Sequence, residues 1–170
     1  MKRIIINNDN LDILNIDETV IRVKALMVNS KSELLIVHNN HTYQFPGGHW
    51  KEVESLEETL TREIKEETGI TTKITTGPFM VIEEYYDNYL STGKTRCNKM
   101  YYYIVKTDDN PNIAEMSLSG IERETDFKLF YVSVNDMEQF IKESMEKRQI
   151  ENIIGEEMLS VMEEYEKFRR

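Results

Sequence analysis

The 23 residues from Gly48 to Ile70, GHWKEVESLEETLTREIKEETGI, constrain this chain more than any other stretch, because they set an unusual density of carboxylates on one short helix. Ser55 with Glu58 three residues later forms a capping box, and Gly69 supplies the left-handed residue that ends a helix, so the local signals predict a helix over about 56–68. At roughly 100° per residue, Leu56, Leu60 and Ile64 make one apolar stripe, and Glu63, Glu66 and Glu67 gather in an arc that overlaps its edge. Three acids therefore stand together on ground that is partly buried.

Such a cluster is unfavourable on a bare helix, whose last turn already carries the negative end of the dipole. Arg62 and Lys65 are too few to offset it and, by the same angular count, point elsewhere. Hard divalent cations held through oxygen are the simplest compensation, and the spacing i, i+3, i+4 is read as a magnesium or manganese site. An EIKEE run on its own reads more readily as a solvated acidic helix, with pairs such as Glu58 to Arg62.

The wider context decides between the two. The pattern Gly, five residues, Glu, seven residues, Arg-Glu-aliphatic-any-Glu-Glu-any-Gly-aliphatic is met at Gly48, Glu54, Arg62, Glu63, Ile64, Glu66, Glu67, Gly69 and Ile70. It resembles the box of the Nudix (MutT-like) hydrolases without departing from it at any position. From average residue frequencies a chance match is on the order of one in ten million. The resemblance implies an α/β/α sandwich with a mixed β-sheet. It also implies hydrolysis of a nucleoside diphosphate linked to another moiety, by attack of water on phosphorus. Carried onto this sequence, it makes Gly48, Glu63, Glu66 and Glu67 metal ligands, Gly48 through its carbonyl. Glu63, or a carboxylate such as Glu122 or Glu124 in the loop before the last strand, becomes the base that orients water. Arg62 and Glu54 brace the ligands. A catalytically silent nucleotide-sensing or interaction module on the same fold is the competing expectation.

Length and composition agree with one domain over residues 1–170: 170 residues with no Pro/Gly/Ser-rich linker, 39% apolar and 31% charged. The net charge of −10, with no basic run, excludes generic binding to nucleic-acid backbone or anionic membrane. A phosphorylated small substrate, above all a nucleotide, is still admitted, because bound cations invert the local sign. The single Cys97 excludes an intrachain disulfide, and the apolar run Ile4-Ile5-Ile6 stops at Asn7, too short for a signal peptide. With no stretch approaching a membrane span, a cytoplasmic location is expected. Monomer and homodimer are both open.

Along the chain, an edge strand at 4–6 is followed by a predicted meander of strands at 20–28, 34–38 and 42–45. After the box, strand-like runs occupy 73–86, with a bend at Thr76-Gly77-Pro78-Phe79, then 99–106 and 127–132. Two amphipathic helices, about 135–147 and 149–168, close the chain. Tyr85 and Tyr86 are adjacent on a strand, so they face opposite sides, and one of them is expected to stack on a substrate base, with Trp50 next in line. Among the family, ADP-ribose-cleaving members carry a proline where these tyrosines stand, and a tyrosine there resembles the dinucleoside polyphosphate hydrolases. A nucleoside triphosphate pyrophosphohydrolase competes equally. Isopentenyl diphosphate isomerase is disfavoured, since its cysteine precedes the box and Cys97 follows it.

Overall fold

The computed structural model describes residues 1–39, 42–118 and 126–169. Its strands are β1 (Lys2–Ile6), β2 (Glu18–Val28), β3 (Glu33–Asn39), β4 (Thr42–Gln44), β5 (Gly47–His49), β6 (Met80–Tyr86), β7 (Arg96–Lys106) and β8 (Lys128–Ser133). Its helices are α1 (Leu56–Thr68), α2 (Met137–Glu146) and α3 (Asn152–Arg169).

The strand order β1-β6-β7-β2-β3-β4 keeps the predicted succession β2-β3-β4, antiparallel at both pairings, and adds partners that the local pattern does not show. β2 runs parallel to β7 along its whole length, from Glu18↔Arg96 to Val28↔Lys106, and meets β3 only at Val28↔Leu34. β5 lies antiparallel on the other edge of β2, Arg22 to Lys24, while β3 pairs with β4 and β8. The mixed sheet thus comprises a larger β1-β6-β7-β2-β5 part and a smaller β4-β3-β8 part hinged at Val28. Local alternation cannot reveal a pairing between strands some 78 residues apart. The run at 73–86 yields a strand only from Met80, the segment before Pro78 making none.

Helices cover both sheet faces because β2 and β7 are apolar on both sides, as strands buried twice must be. Val23, Ala25 and Met27 pack with Tyr103, Leu60 and Ile64 under α1. Leu26, Val28 and Tyr102 pack with Met137, Ile141, Met158 and Val161 of α2 and α3. Leu60 and Ile64 are fully buried, which at roughly 1.5–3 kcal/mol each pins the stripe of α1 to the sheet and fixes the direction of its acidic edge. On α3 not every apolar residue turns inward: Ile153 is 44% and Phe168 56% exposed, although Phe168 still packs edge-on against Phe79.

Candidate active site

The helix that carries the acids begins and ends as its sequence requires. The Ser55 hydroxyl accepts from Glu58 N at 3.1 Å, Glu58 accepts from Ser55 N at 2.7 Å, and Gly69 takes φ +70° with its N–H on Lys65 O. The chain reaches it through Pro46-Gly47-Gly48, where both glycines are needed. Gly47 sits at φ +141°, and a Cβ on it would stand 2.0 Å from Val23 O. A Cβ on Gly48 would stand 2.3 Å from Glu63 Cδ, so the carboxylate occupies the space that any side chain at 48 would fill.

Glu63, Glu66 and Glu67 line one wall of a cavity of about 510 Å³ together with Gly47 and Gly48; Arg22, Lys24, Gln44, His49 and Lys51 line the rest, with Ser117 and Leu118 at the rim. Glu67 is 3% exposed and its Oε2 accepts from Gly47 N at 2.7 Å. Glu54 and Arg62 join them at the helix edge. Arg62 departs from the angular expectation. Its Nε and Nη2 donate to the two oxygens of Glu54 at 2.8 and 2.9 Å, Nη1 donates to Glu63 at 2.6 Å and Glu66 at 3.3 Å, and Nη2 also reaches His49 O at 3.3 Å. The helical wheel locates Cα atoms, whereas a long arginine stem swings its head over the neighbouring turn. Lys65 does point away, to Gly69 O and the Glu115 carboxylate.

These contacts set the local electrostatics. The Arg62 hydrogen bonds, helped by Thr59, hold the Glu54 carboxyl down at about 2, and the same fork raises the Arg62 guanidinium further above its ordinary value. Burial lowers His49, and Arg22, Lys24 and Arg96 push the same way; its Nε2 accepts from Arg22 Nε at 3.1 Å, which favours the neutral ring. Among the described residues, no three His, Cys, Asp or Glu side chains already converge as a metal-holding group. The donor set nevertheless fits a hard cation: carboxylate oxygens from one helix edge, a glycine whose missing side chain leaves room at Glu63, and Arg62 as the positive charge presently shared by Glu63 and Glu66.

The aromatic residues expected at the substrate are elsewhere or engaged. Tyr85 and Tyr86 do take opposite faces. Tyr85 is 8% exposed on the α1 side, its hydroxyl donating to Glu83 at 3.0 Å, and does not line the cavity, because burial and the Arg3, Lys99 and Glu83 network claim it. Tyr86 is half-buried on the α3 side with its hydroxyl on Glu84 at 2.7 Å, likewise outside the cavity lining. Trp50 donates its indole N–H to Glu54 O at 2.6 Å and so braces the turn leading into α1. Glu122 and Glu124 lie outside the described residues.

Sequence reasoning missed Arg22, Lys24 and Gln44. The available signal was phase: Arg22 and Lys24 share the alternation of Leu26 and Val28, so a cation sits on a face whose continuation is core.

The chain belongs to the NUDIX family, whose domain model matches residues 18–151. Its fold is a Nudix fold as well. Among solved structures it is similar to the NUDIX hydrolase from Nitrosomonas europaea, with 16% identity over 89% of this chain and 90% of that one, TM-score 0.59. It is also similar to the C. elegans Ap4A hydrolase, 18% identity over 89% and 99%, TM-score 0.53. A third is the E. coli dihydroneopterin triphosphate pyrophosphohydrolase, 14% identity over 70% and 84%, TM-score 0.53. No protein of curated function matches in sequence. Among the described residues, no helix is long and apolar enough to cross a membrane.

Proposed function

We propose that this chain is a divalent-cation-dependent pyrophosphohydrolase cleaving a phosphoanhydride in a nucleoside triphosphate or dinucleoside polyphosphate. The observation that carries this reading is the gathering of Gly48, Glu63, Glu66 and Glu67 in the lining of one cavity that Arg22, Lys24 and Lys51 also line. The Gly48 carbonyl and the three carboxylates would hold magnesium or manganese. A cation bound there neutralises charge on phosphoryl oxygens and acidifies water.

The chain's own groups supply the rest. Glu63, or Glu122 in the segment after Leu118, takes the proton of the attacking water as general base. Arg62, anchored by Glu54, fixes Glu63 and Glu66. Arg22 and Lys51, which line the same cavity, present positive charge to the phosphate chain. Tyr86 remains the better placed of the two tyrosines to meet a base, since its face is that of Lys24 and Arg22, and a reducing cytoplasm suits the single buried Cys97.

A silent nucleotide sensor would have no need of the full acid set. Release of phosphate or nucleotide from a panel of nucleoside triphosphates and dinucleoside tetraphosphates, with magnesium or manganese and with chelator, tests the proposal. Turnover that the chelator abolishes supports it, and binding of a panel member without any turnover overturns it in favour of the sensor.

A further inference from the structure

The cavity holds a second centre of charge, on the other side of β5 from the acids. Successive residues of a strand face opposite ways, and the acids meet β5 at Gly48, where the Glu63 carboxylate fills the place of the missing side chain. His49 is next and faces the other way, directly across from Arg22 of β2, and both line the cavity. The His49 ring accepts at Nε2 from Arg22 Nε at 3.1 Å. An imidazole that accepts there is neutral and keeps its proton on Nδ1, so this hydrogen bond leaves the charge of Arg22 uncompensated.

An uncompensated arginine stands out in a chain with 31 acidic residues against 21 Lys and Arg. Arg3 holds Glu83, Arg62 holds Glu54, Arg96 holds Glu18 and Arg169 holds Glu166. Arg22 forms no ion pair among the described residues, and its bond to His49 uses one of its five N–H donors. With Nε taken, Nη1 and Nη2 are left as a planar pair that suits two oxygens of one oxyanion. A carboxylate in place of His49 would hold the guanidinium more tightly and cancel its charge; a neutral imidazole holds it and leaves the charge available. The tether is itself anchored, since the His49 carbonyl accepts from Arg62 Nη2 at 3.3 Å, the same guanidinium that spans Glu54, Glu63 and Glu66.

We propose that His49 is a positioning residue, which fixes Arg22 so that its Nη1 and Nη2 grip a phosphate lying further along the substrate than the group held at the acids. The assignment rests on the reading of the acids as a phosphoanhydride site. The grip is on phosphate oxygens, so it does not depend on which base the substrate carries. It lies away from the cleaved bond and stabilises ground and transition states alike, so its loss is read in KM more than in kcat.

The test uses the full chain with magnesium and the best nucleoside triphosphate of the panel, and compares His49→Ala, His49→Gln, His49→Asn, Arg22→Met and the double variant Arg22→Met/His49→Ala. kcat, KM, the inhibition constant of inorganic triphosphate and the melting temperature are measured for each. A glutamine amide oxygen reaches about as far as the imidazole Nε2 and accepts as it does, whereas asparagine stops short. His49 is exposed, so its replacement leaves the core packing untouched. His49→Ala and His49→Asn are expected to raise KM and the inhibition constant of inorganic triphosphate about 5- to 20-fold, with kcat within about 3-fold and His49→Gln within about 3-fold of the unaltered protein. On the Arg22→Met background His49→Ala should add less than about 2-fold, because the two act as a unit. The His49 variants carry the test alone where Arg22→Met fails to fold.

An unchanged KM in His49→Ala, a His49→Gln that behaves like His49→Ala, or effects that multiply in the double variant overturn the positioning role while the hydrolase reading stands. A rise in KM without a rise in the inhibition constant of inorganic triphosphate also overturns it, by moving Arg22 from phosphate to base or sugar. Where no nucleotide is turned over, calorimetric binding of inorganic triphosphate takes the place of kinetics. Binding weakened by His49→Ala and restored by His49→Gln supports the grip while the hydrolase reading fails, and binding that is absent or equal in all variants overturns both.

Discussion

Arg62 closes a fork on Glu54 at 2.8 and 2.9 Å while its other nitrogen spans Glu63 and Glu66 at 2.6 and 3.3 Å. One guanidinium is therefore both a brace and the resident counter-charge of the acids. On the proposed reading, a cation held by Glu63 and Glu66 would displace Arg62 from them while Glu54 keeps its fork on the guanidinium.

Glu54→Gln removes the charged anchor and lets Arg62 settle on the acids. Hydrolysis is expected to fall roughly 10–100-fold and to need more magnesium for half-maximal rate, with little change in melting temperature. Rates across a magnesium titration check this; an unchanged magnesium dependence would show that Glu54 does not restrain Arg62.

Gly48→Ala places a methyl group where the Glu63 carboxylate lies, 2.3 Å from its Cδ. Glu63 has room to turn toward the cavity, so the fold is expected to survive while activity and stabilisation by magnesium fall by orders of magnitude. Gly47→Ala meets backbone instead, 2.0 Å from Val23 O at φ +141°, and should cost more than about 2 kcal/mol of stability. Melting curves with and without magnesium separate the two variants.

Tyr85→Ala should chiefly destabilise the protein, because it opens a buried site and removes a donor to Glu83. Tyr86→Ala should instead raise KM, by roughly 5- to 150-fold if a base stacks on the ring, with kcat little altered. Equal and small effects on KM from both would move the base contact away from β6.

Glu83 is 2% exposed and bonded to Arg3, Lys99 and Tyr85, whose hydrogen bonds outweigh the effect of burial and hold its carboxyl at about 2. Its folded value lies below the unfolded one of about 4.3, so the stability it contributes is present above that pH and is lost as pH falls toward 2. After discounting for the exposed Arg3 head, this amounts to about 2 kcal/mol. Acid titration of the melting temperature should flatten in that window for Glu83→Gln; an unaltered titration would assign the acid sensitivity to other carboxyls.

What could be read from sequence was whatever neighbours in the chain decide. The capping box, the Gly69 stop and the shared edge of Glu63, Glu66 and Glu67 are local, and the structure has them as expected. The parallel pairing of β2 with β7 depends on partners far apart, and so does the meeting of Tyr102 with Glu157, which needs the docking of α3. Arg62 escaped for a different reason: its position was right and its reach was not. Tyr85 escaped because its aromatic ring gives no sign of which face of the sheet is the wet one.

The segment after β7 is sewn to the carboxyl end of α1. Asn112 N donates to Thr68 O and Ser117 N to Glu66 O, each at 2.9 Å, occupying carbonyls that a helix terminus otherwise offers to water. The acid-bearing turn therefore cannot fray by itself: releasing it means peeling residues 112–117 away at the same time. In hydrogen exchange the amides of Asn112 and Ser117 should open with the last turn of α1 as a single cooperative unit, so that the cavity rim and its acidic wall share one local stability.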